Sequence, residues 1–274
     1  MTPSIAIVVL IVGFASGVLS GMFGVGGAVL TTPGIRAAGA TPIEAVGSTL
    51  PAILPGSISG AWRYSREGMV EWRVALPSGL LGSCFAFLGA ELSDHVNAHY
   101  LMILTAALLL WTGLKNMREH VGERIAVSVG AGAPSIEEPS YADPDDDLRS
   151  ARRSTVLVGI VGATAGLLAG LLGIGGGVLL VPAYTALLRI PPKRAIATSL
   201  VAVAMFSIPA MITHAWLGHI NWAYALLLMV GVVPGAQVGA HFTMRGSEAR
   251  LRLLMGLFFT VLALAYGGAE LRAL

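Results

Sequence analysis

A chain of 274 residues that is 55% hydrophobic and only 12% charged, with a mean hydropathy of +0.77, does not fit a soluble domain, which carries about twice that charged fraction. The net charge of +2 is too small to indicate nucleic acid, and the pI of 8.9 reflects charges at the edges of apolar runs. Cys84 is the sole cysteine, which excludes an intrachain disulfide and a thiolate metal cluster.

Eight apolar segments are expected in chain order, at about 5–35, 43–62, 74–93, 99–117, 155–188, 195–217, 223–243 and 251–271. Met1 to Val12 lacks the basic start of a secretory signal, so the first segment is read as mature structure. Ser154 to Leu188 contains no Asp, Glu, Lys or Arg, and Ile196 to Met244 contains only histidines. Uncharged runs of roughly 18 or more residues read as membrane spans. Between the fourth and fifth segments lies a polar linker. Its core, Gly130 to Asp147, includes Glu137-Glu138-Pro139 and Asp143-Pro144-Asp145-Asp146-Asp147. That composition predicts a disordered connector. The organisation is therefore a first transmembrane half over 1–117, a cytoplasmic linker over 118–153 and a second half over 154–274.

The halves repeat one another. Gly24-Val25-Gly26-Gly27-Ala28-Val29-Leu30-Thr31-Thr32-Pro33 returns as Gly173-Ile174-Gly175-Gly176-Gly177-Val178-Leu179-Leu180-Val181-Pro182, displaced by 149 positions. Gly13, Gly17 and Gly21 match Gly162, Gly166 and Gly170 at the same displacement. One inserted residue then makes the displacement 150. Ala45-Val46-Gly47-Ser48-Thr49-Leu50 matches Ala195-Ile196-Ala197-Thr198-Ser199-Leu200, and Gly68-Met69-Val70-Glu71-Trp72 matches Gly218-His219-Ile220-Asn221-Trp222. A glycine break duplicated inside membrane-length segments is the mark of a small transporter whose site lies between two repeats.

Segments one and five are too long for ordinary spans: as helices they would extend roughly 50 Å against a hydrocarbon core of about 30 Å. A tilted continuous helix, a broken span and a re-entrant pair of half-helices all satisfy the length. If all eight segments cross, ten Lys and Arg residues fall on one side and seven on the other. If segments one and five enter and leave on the same side, Arg36 and Arg272 fall on one side and the other fifteen opposite. The positive-inside rule prefers this arrangement, which makes the second repeat inverted. The expected fold is thus an all-α integral membrane protein of two four-segment repeats with broken or re-entrant helices one and five.

Gly24, Gly26 and Gly27, with Gly173, Gly175, Gly176 and Gly177, are the leading site candidates. Glycine lets the backbone leave helical geometry and lets a ligand approach closely. A helix restarting near Ala28 or Val178 offers free N–H groups and a positive dipole end, which suit an anion. The alternative is close helix packing through small residues. Ser48-Thr49 and Thr198-Ser199 could donate to an oxyanion without carrying charge, or bond their own helix carbonyls. Gln237 lies deep in the seventh segment opposite Phe87 of the first repeat, and needs a polar partner there. The Gly13/Gly17/Gly21 and Gly162/Gly166/Gly170 series read as packing seams. Trp72 and Trp222 mark interfaces. His214, His219 and His241 are not spaced for a metal, and one of them is a candidate proton carrier. No nucleophile–base–orienter set appears, so catalysis is not expected, nor is a cofactor or metal. The rival functions are an integral-membrane enzyme and a nonconducting scaffold subunit.

With these residues the chain resembles the TauE/SafE family of sulfite exporters, also called TSUP. The resemblance rests on Leu172-Gly173-Ile174-Gly175-Gly176-Gly177-Val178-Leu179-Leu180-Val181-Pro182, on Ala195-Ile196-Ala197-Thr198-Ser199 and on Pro234-Gly235-Ala236-Gln237-Val238-Gly239. The first repeat departs at Ala28, where the second has a third glycine, and at Ser48-Thr49, which reverses Thr198-Ser199. The resemblance implies a secondary transporter of sulfite, thiosulfate or an organosulfonate such as sulfoacetate, in the prokaryotic inner membrane. The lipid bilayer, a small sulfur-bearing anion, protons as coupling ion and a second copy of the chain are the expected partners.

Overall fold

The computed structural model describes residues 3–96, 98–128, 144–173 and 175–271. Ten helices occur among them: α1 (Pro3–Phe23), α2 (Ala28–Ala37), α3 (Pro42–Arg66), α4 (Trp72–His95), α5 (Ala98–Ser128), α6 (Pro144–Leu172), α7 (Gly177–Leu187), α8 (Pro192–Trp216), α9 (Trp222–Arg245) and α10 (Glu248–Leu271). No strand occurs among the described residues. Five helices are long and apolar enough to cross a membrane by length and composition: α1, α4, the 155–172 part of α6, α8 and α9. The chain is an all-α, multi-pass membrane protein.

Local chemistry sets the helix starts. Thr41 accepts from Glu44 N–H while Glu44 accepts from Thr41 N–H, a reciprocal box that begins α3 with Pro42 at its first position. Pro191-Pro192 begins α8, and the Asn221 side chain caps α9 by accepting from Ala223 N–H. Segments one and five each contain a long helix, a glycine break and a short helix.

The short helices fold back. A methyl on Gly13 would stand 3.1 Å from Leu228 Cα, and one on Gly17 only 2.8 Å from Val232 Cα, so α1 and α9 run in the same direction with backbones touching. α2 then returns along α1, bringing Gly34 against Val12. At its end, Tyr224 near the start of α9 donates to Ala38 O at 3.0 Å. Ile5, Ala38, Ala40 and Tyr224 share one apolar cluster. Segment one thus enters and leaves at the same end of the bundle. The second half behaves alike: Gly162 packs on Ser78, and Tyr184 of α7 comes back to the same Ser78, hydroxyl to hydroxyl at 2.6 Å. A single tilted helix is not what these residues form.

Both seams join one half to the other. α1 lies on α9, and α6 lies on α4 through Gly162, Gly166 and Gly170. α3 and α8 sit centrally, and α5 packs against α10 at the outside. Side chains such as Leu80, Trp111, Ile160, Val230 and Leu264 project outward, the pattern expected of a surface solvated by lipid.

α5 continues to Ser128 and α6 begins at Pro144, so both flanks of the 118–153 stretch are helical. Loss of apolarity marks the edge of the membrane rather than the end of a helix, and residues such as Lys115, Met117 and Arg118 are good helix formers. Residues 129–143, where a disordered connector was expected, lie outside the described residues.

Candidate functional site

The two glycine breaks require glycine. Gly24, Gly26 and Gly27 have φ of 72°, 81° and 90°, and Gly173, Gly175 and Gly176 have 64°, 80° and 70°. All six lie in the left-handed region that L side chains avoid. α1 ends where Gly24 N–H bonds Ser20 O at 2.8 Å, and α6 ends where Gly173 N–H bonds Ala169 O at 3.0 Å. α2 and α7 then restart behind Gly27 and Gly176, and no side chain caps either one.

The breaks meet. A methyl on Gly177 would lie 2.7 Å from Val25 Cα and would strike Gly24 O, so the start of α7 rests directly on the first break. Gly175 is flanked by Val203 and Ile53, near the midpoints of α8 and α3. The uncapped N-terminus of α7 thus meets the first break in the middle of the bundle, and the N-terminus of α2 behind Gly27 is uncapped as well. The positive end of each helix favours an anion.

The hydroxyl pairs hold the breaks crosswise. Ser199 Oγ donates toward Gly24 O at 3.0 Å and Ile196 O at 2.9 Å. Thr49 Oγ1 does the same toward Gly173 O at 3.3 Å and Val46 O at 2.8 Å. Ser48 Oγ accepts from Asn221 N–H at 2.8 Å, and Thr198 Oγ1 accepts from Glu71 N–H at 3.1 Å. Thr198 also donates to Arg194 O at 2.7 Å. All four side chains are fully buried. As direct donors to an oxyanion, Thr49, Thr198 and Ser199 do not stand ready: their single protons already serve carbonyls. Ser199 and Thr49 fix each break to the opposite half, while Thr198 and Ser48 hold the residues just before α4 and α9. Beside Thr198, Arg194 forms an ion pair with Glu71 across the halves.

Gln237 stands apart. It is half-buried on α9, next to Ala236, which packs on Gly21, and no hydrogen bond joins it to the breaks among the described residues. No group of three or more His, Cys, Asp or Glu able to hold a metal occurs among the described residues. The space beside each break is small. A cavity of about 20 Å³ lies between Thr112, Leu168 and Gly176, and one of about 10 Å³ between Ser20, Phe23, Gly27 and Phe259. Either is close to the size of one water. Neither has room for an oxyanion.

Sequence reasoning missed several wall residues. Ser16 donates to Gly27 O, and Ser20 Oγ lies buried beside Gly27 without a hydrogen-bond partner. Tyr64 donates to Gly21 O at 2.8 Å, and His214 at the matched position reaches Gly170 O at 3.2 Å. The repeat offset itself was the signal, because it places Ser16 over Ala165, Ser20 over Ala169 and Tyr64 over His214.

The family model described as sulfite exporter TauE/SafE matches residues 9–266. A probable membrane transporter protein of Xylella fastidiosa (strain 9a5c) is 29% identical over 258 residues, covering 93% of this chain and 90% of that one. The probable membrane transporter protein YunE of Bacillus subtilis (strain 168) is 24% identical over 257 residues, covering 91% of this chain and 92% of its own. No solved structure matches the chain.

Proposed function

The chain belongs to the sulfite exporter TauE/SafE family, and from that premise we propose that it moves a small sulfur-containing anion across a prokaryotic inner membrane. Sulfite, thiosulfate and organosulfonates such as sulfoacetate are the substrate class. The observation that carries this reading is the uncapped N-terminus of α7, seated at Gly177 on the first break at Gly24 and Val25. Backbone N–H groups of the first turns, around Gly26, Gly27, Gly175, Gly176 and Gly177, would line the anion. Ser48, Thr49, Thr198 and Ser199 would exchange their present bonds as the halves separate, and Gln237 would serve the seam rather than the ligand. The two halves would move as inverted repeats around this point.

Orientation follows from charge. The end of the bundle where α1 begins and α2 finishes carries Arg36, and the opposite end carries Arg63, Arg66, Arg73, Arg194 and Arg245. The basic end would be cytoplasmic. An anion imported against a negative-inside potential costs about 2.3 kcal/mol per charge per 100 mV, so import would need protons, export would run down the potential, and neither would need sodium.

Counterflow in proteoliposomes with labelled sulfite, thiosulfate and sulfoacetate tests the reading. Exchange of at least one is expected, with and without sodium. Gly175→Val should abolish it while the protein still inserts; a folded Gly175→Val chain that exchanges as the parent does would make the glycines packing devices. Reporter fusions at Leu274 and within the linker should read outside and cytoplasm respectively. Two cytoplasmic readings would overturn the topology.

A further inference from the structure

The halves differ at one titratable position. Tyr64 on α3 and His214 on α8 are matched, and each holds a carbonyl at the end of the preceding long helix, Gly21 O and Gly170 O. A carbonyl only accepts, so His214 Nε2 carries the proton in that bond. The other ring nitrogen, Nδ1, lies 3.1 Å from Nδ1 of His219, and the rings are 5.3 Å apart at 56°. One proton must sit between these nitrogens, so the neutral pair is His219 Nδ1–H donating to His214 Nδ1. His214 is fully buried and His219 is 9% exposed in the loop between α8 and α9. The first half has Met69 where His219 stands, so it contains no such pair.

We propose that His214 and His219 form a proton-binding site that couples the second break to the membrane proton gradient, with one proton held per chain. The inference rests on the transport reading above and adds the site of the coupling ion. A proton added to the pair is held while His214 still donates to Gly170 O. The added charge is shared along a charge-assisted bond. Gly170 lies in the last turn of α6, which ends at Leu172, so the cation sits at the negative end of that helix. It is also three residues from Gly173, where the break begins. A cation there compensates an anion at the uncapped helix N-termini beside the breaks, so each ligand strengthens binding of the other.

The loop that carries His219 also closes this end of the bundle. His219 packs against Gly47, and Asn221 N–H holds Ser48 Oγ. Binding of the proton is therefore felt at the contact between the halves. Among the residues with described side chains, the other titratable groups at this end are Arg36 on α2, Glu44 on α3, Glu91 and His95 on α4, Tyr100 on α5 and Tyr224 on α9. Glu44 is committed to the Thr41 cap, and Glu91 and His95 are exposed.

The site is tested on the full chain in two ways. Proton binding is read without any substrate, from imidazole C–H resonances of the purified protein titrated between about pH 5 and 8, with assignments from His214→Gln and His219→Gln. The two rings should titrate as a coupled pair, and removing either should move the other's midpoint by about one pH unit or more. An unchanged His214 curve in His219→Gln overturns the proposal. Coupling is read in proteoliposomes with thiosulfate or sulfoacetate, which take up no proton in this range, and a lumenal pH dye. His214→Tyr installs the first half's residue and preserves a donor to Gly170 O. Protons moved per anion should fall by at least about tenfold in that variant, whereas an unchanged ratio overturns the assignment. Failure of the parent to exchange any probe would count against the transport reading, and the titration would still decide the pair.

Discussion

Around the first break, Gly27 is flanked by Ser16 and Ser20, and Tyr64 closes on Gly21 O. Around the second, Gly176 is flanked by Ala165, Ala169 and Phe206, and His214 closes on Gly170 O. Backbone angles at the two breaks agree within about 20°, yet the walls have exchanged hydroxyls for methyls and a phenol for an imidazole. The filling of space has also changed hands. Val232 of α9 leans on Gly56 of α3, and Phe206 of α8 leans on Gly82 of α4, each across the halves. Each pair holds one glycine and one bulky side chain, entered from opposite helices. What the halves share is therefore backbone geometry, and what distinguishes them is which side chains face that geometry. The polar wall of one half and the titratable latch of the other give an asymmetric protein built on two similar hairpins.

The sharpest way to break this comparison is at Gly177, whose counterpart is Ala28. Both begin a helix, and Gly177 lies on the opposite break with no room for a β-carbon, whereas position 28 already carries one. Gly177→Ala should force Val25 and Gly24 away and lower transport by at least about a hundredfold, measured by counterflow. Ala28→Gly should cost only about 1 kcal/mol of helix propensity. Equal effects of the two changes would mean that the breaks do not touch.

The packing exchange comes next. Phe206→Ala should destabilise the chain by about 3–5 kcal/mol through an unfilled cavity, read by reversible unfolding in detergent. Adding Gly82→Val should not recover that loss, because a β-carbon at 82 would also stand 2.5 Å from Gly162 O, and a recovery would show that α4 and α6 can part at this seam.

Smaller effects are expected at the crosswise hydroxyls. Ser199→Ala and Thr49→Val each withdraw a donor from a break carbonyl and should cost about 1–3 kcal/mol if that carbonyl is left unsatisfied. The two values should agree if the halves brace one another symmetrically. A neutral Thr49→Val beside a costly Ser199→Ala would show that only the first break is held this way.

The smallest expected change is Ser20→Ala, which copies Ala169 into the first half. Its hydroxyl has no partner among the described residues, so stability should shift by less than about 0.5 kcal/mol or improve. Counterflow affinity then becomes informative. A drop for one anion at unchanged stability would assign Ser20 to the ligand, and no drop would leave it a wall residue.

The duplicated glycine motif announced both breaks because six left-handed positions tolerate almost nothing else. The glycine series announced the seams, since four-residue spacing puts a smooth stripe on one helix face. The hydroxyl pairs were visible as symmetric candidates, but their partners were not: Gly24 and Ser199 are separated by most of a domain in sequence and meet only through the crossing of the halves. The same holds for Ser20, whose significance depends on Gly27 folding back beside it. Gln237 looked notable by depth alone, and depth did not place it at the breaks.

By itself the sequence determined the membrane-protein class, the repeat, the positions where helices must break and the family, because apolar length, glycine and offset are properties of the chain read locally. The tertiary structure decided that α2 and α7 turn back and that α7 starts on the first break, that each break is tied to the opposite half, and that His214 faces His219. Those facts depend on which surfaces α1 and α6 choose. The choice is made by close backbone contact between elements more than about eighty residues apart, which no local pattern encodes.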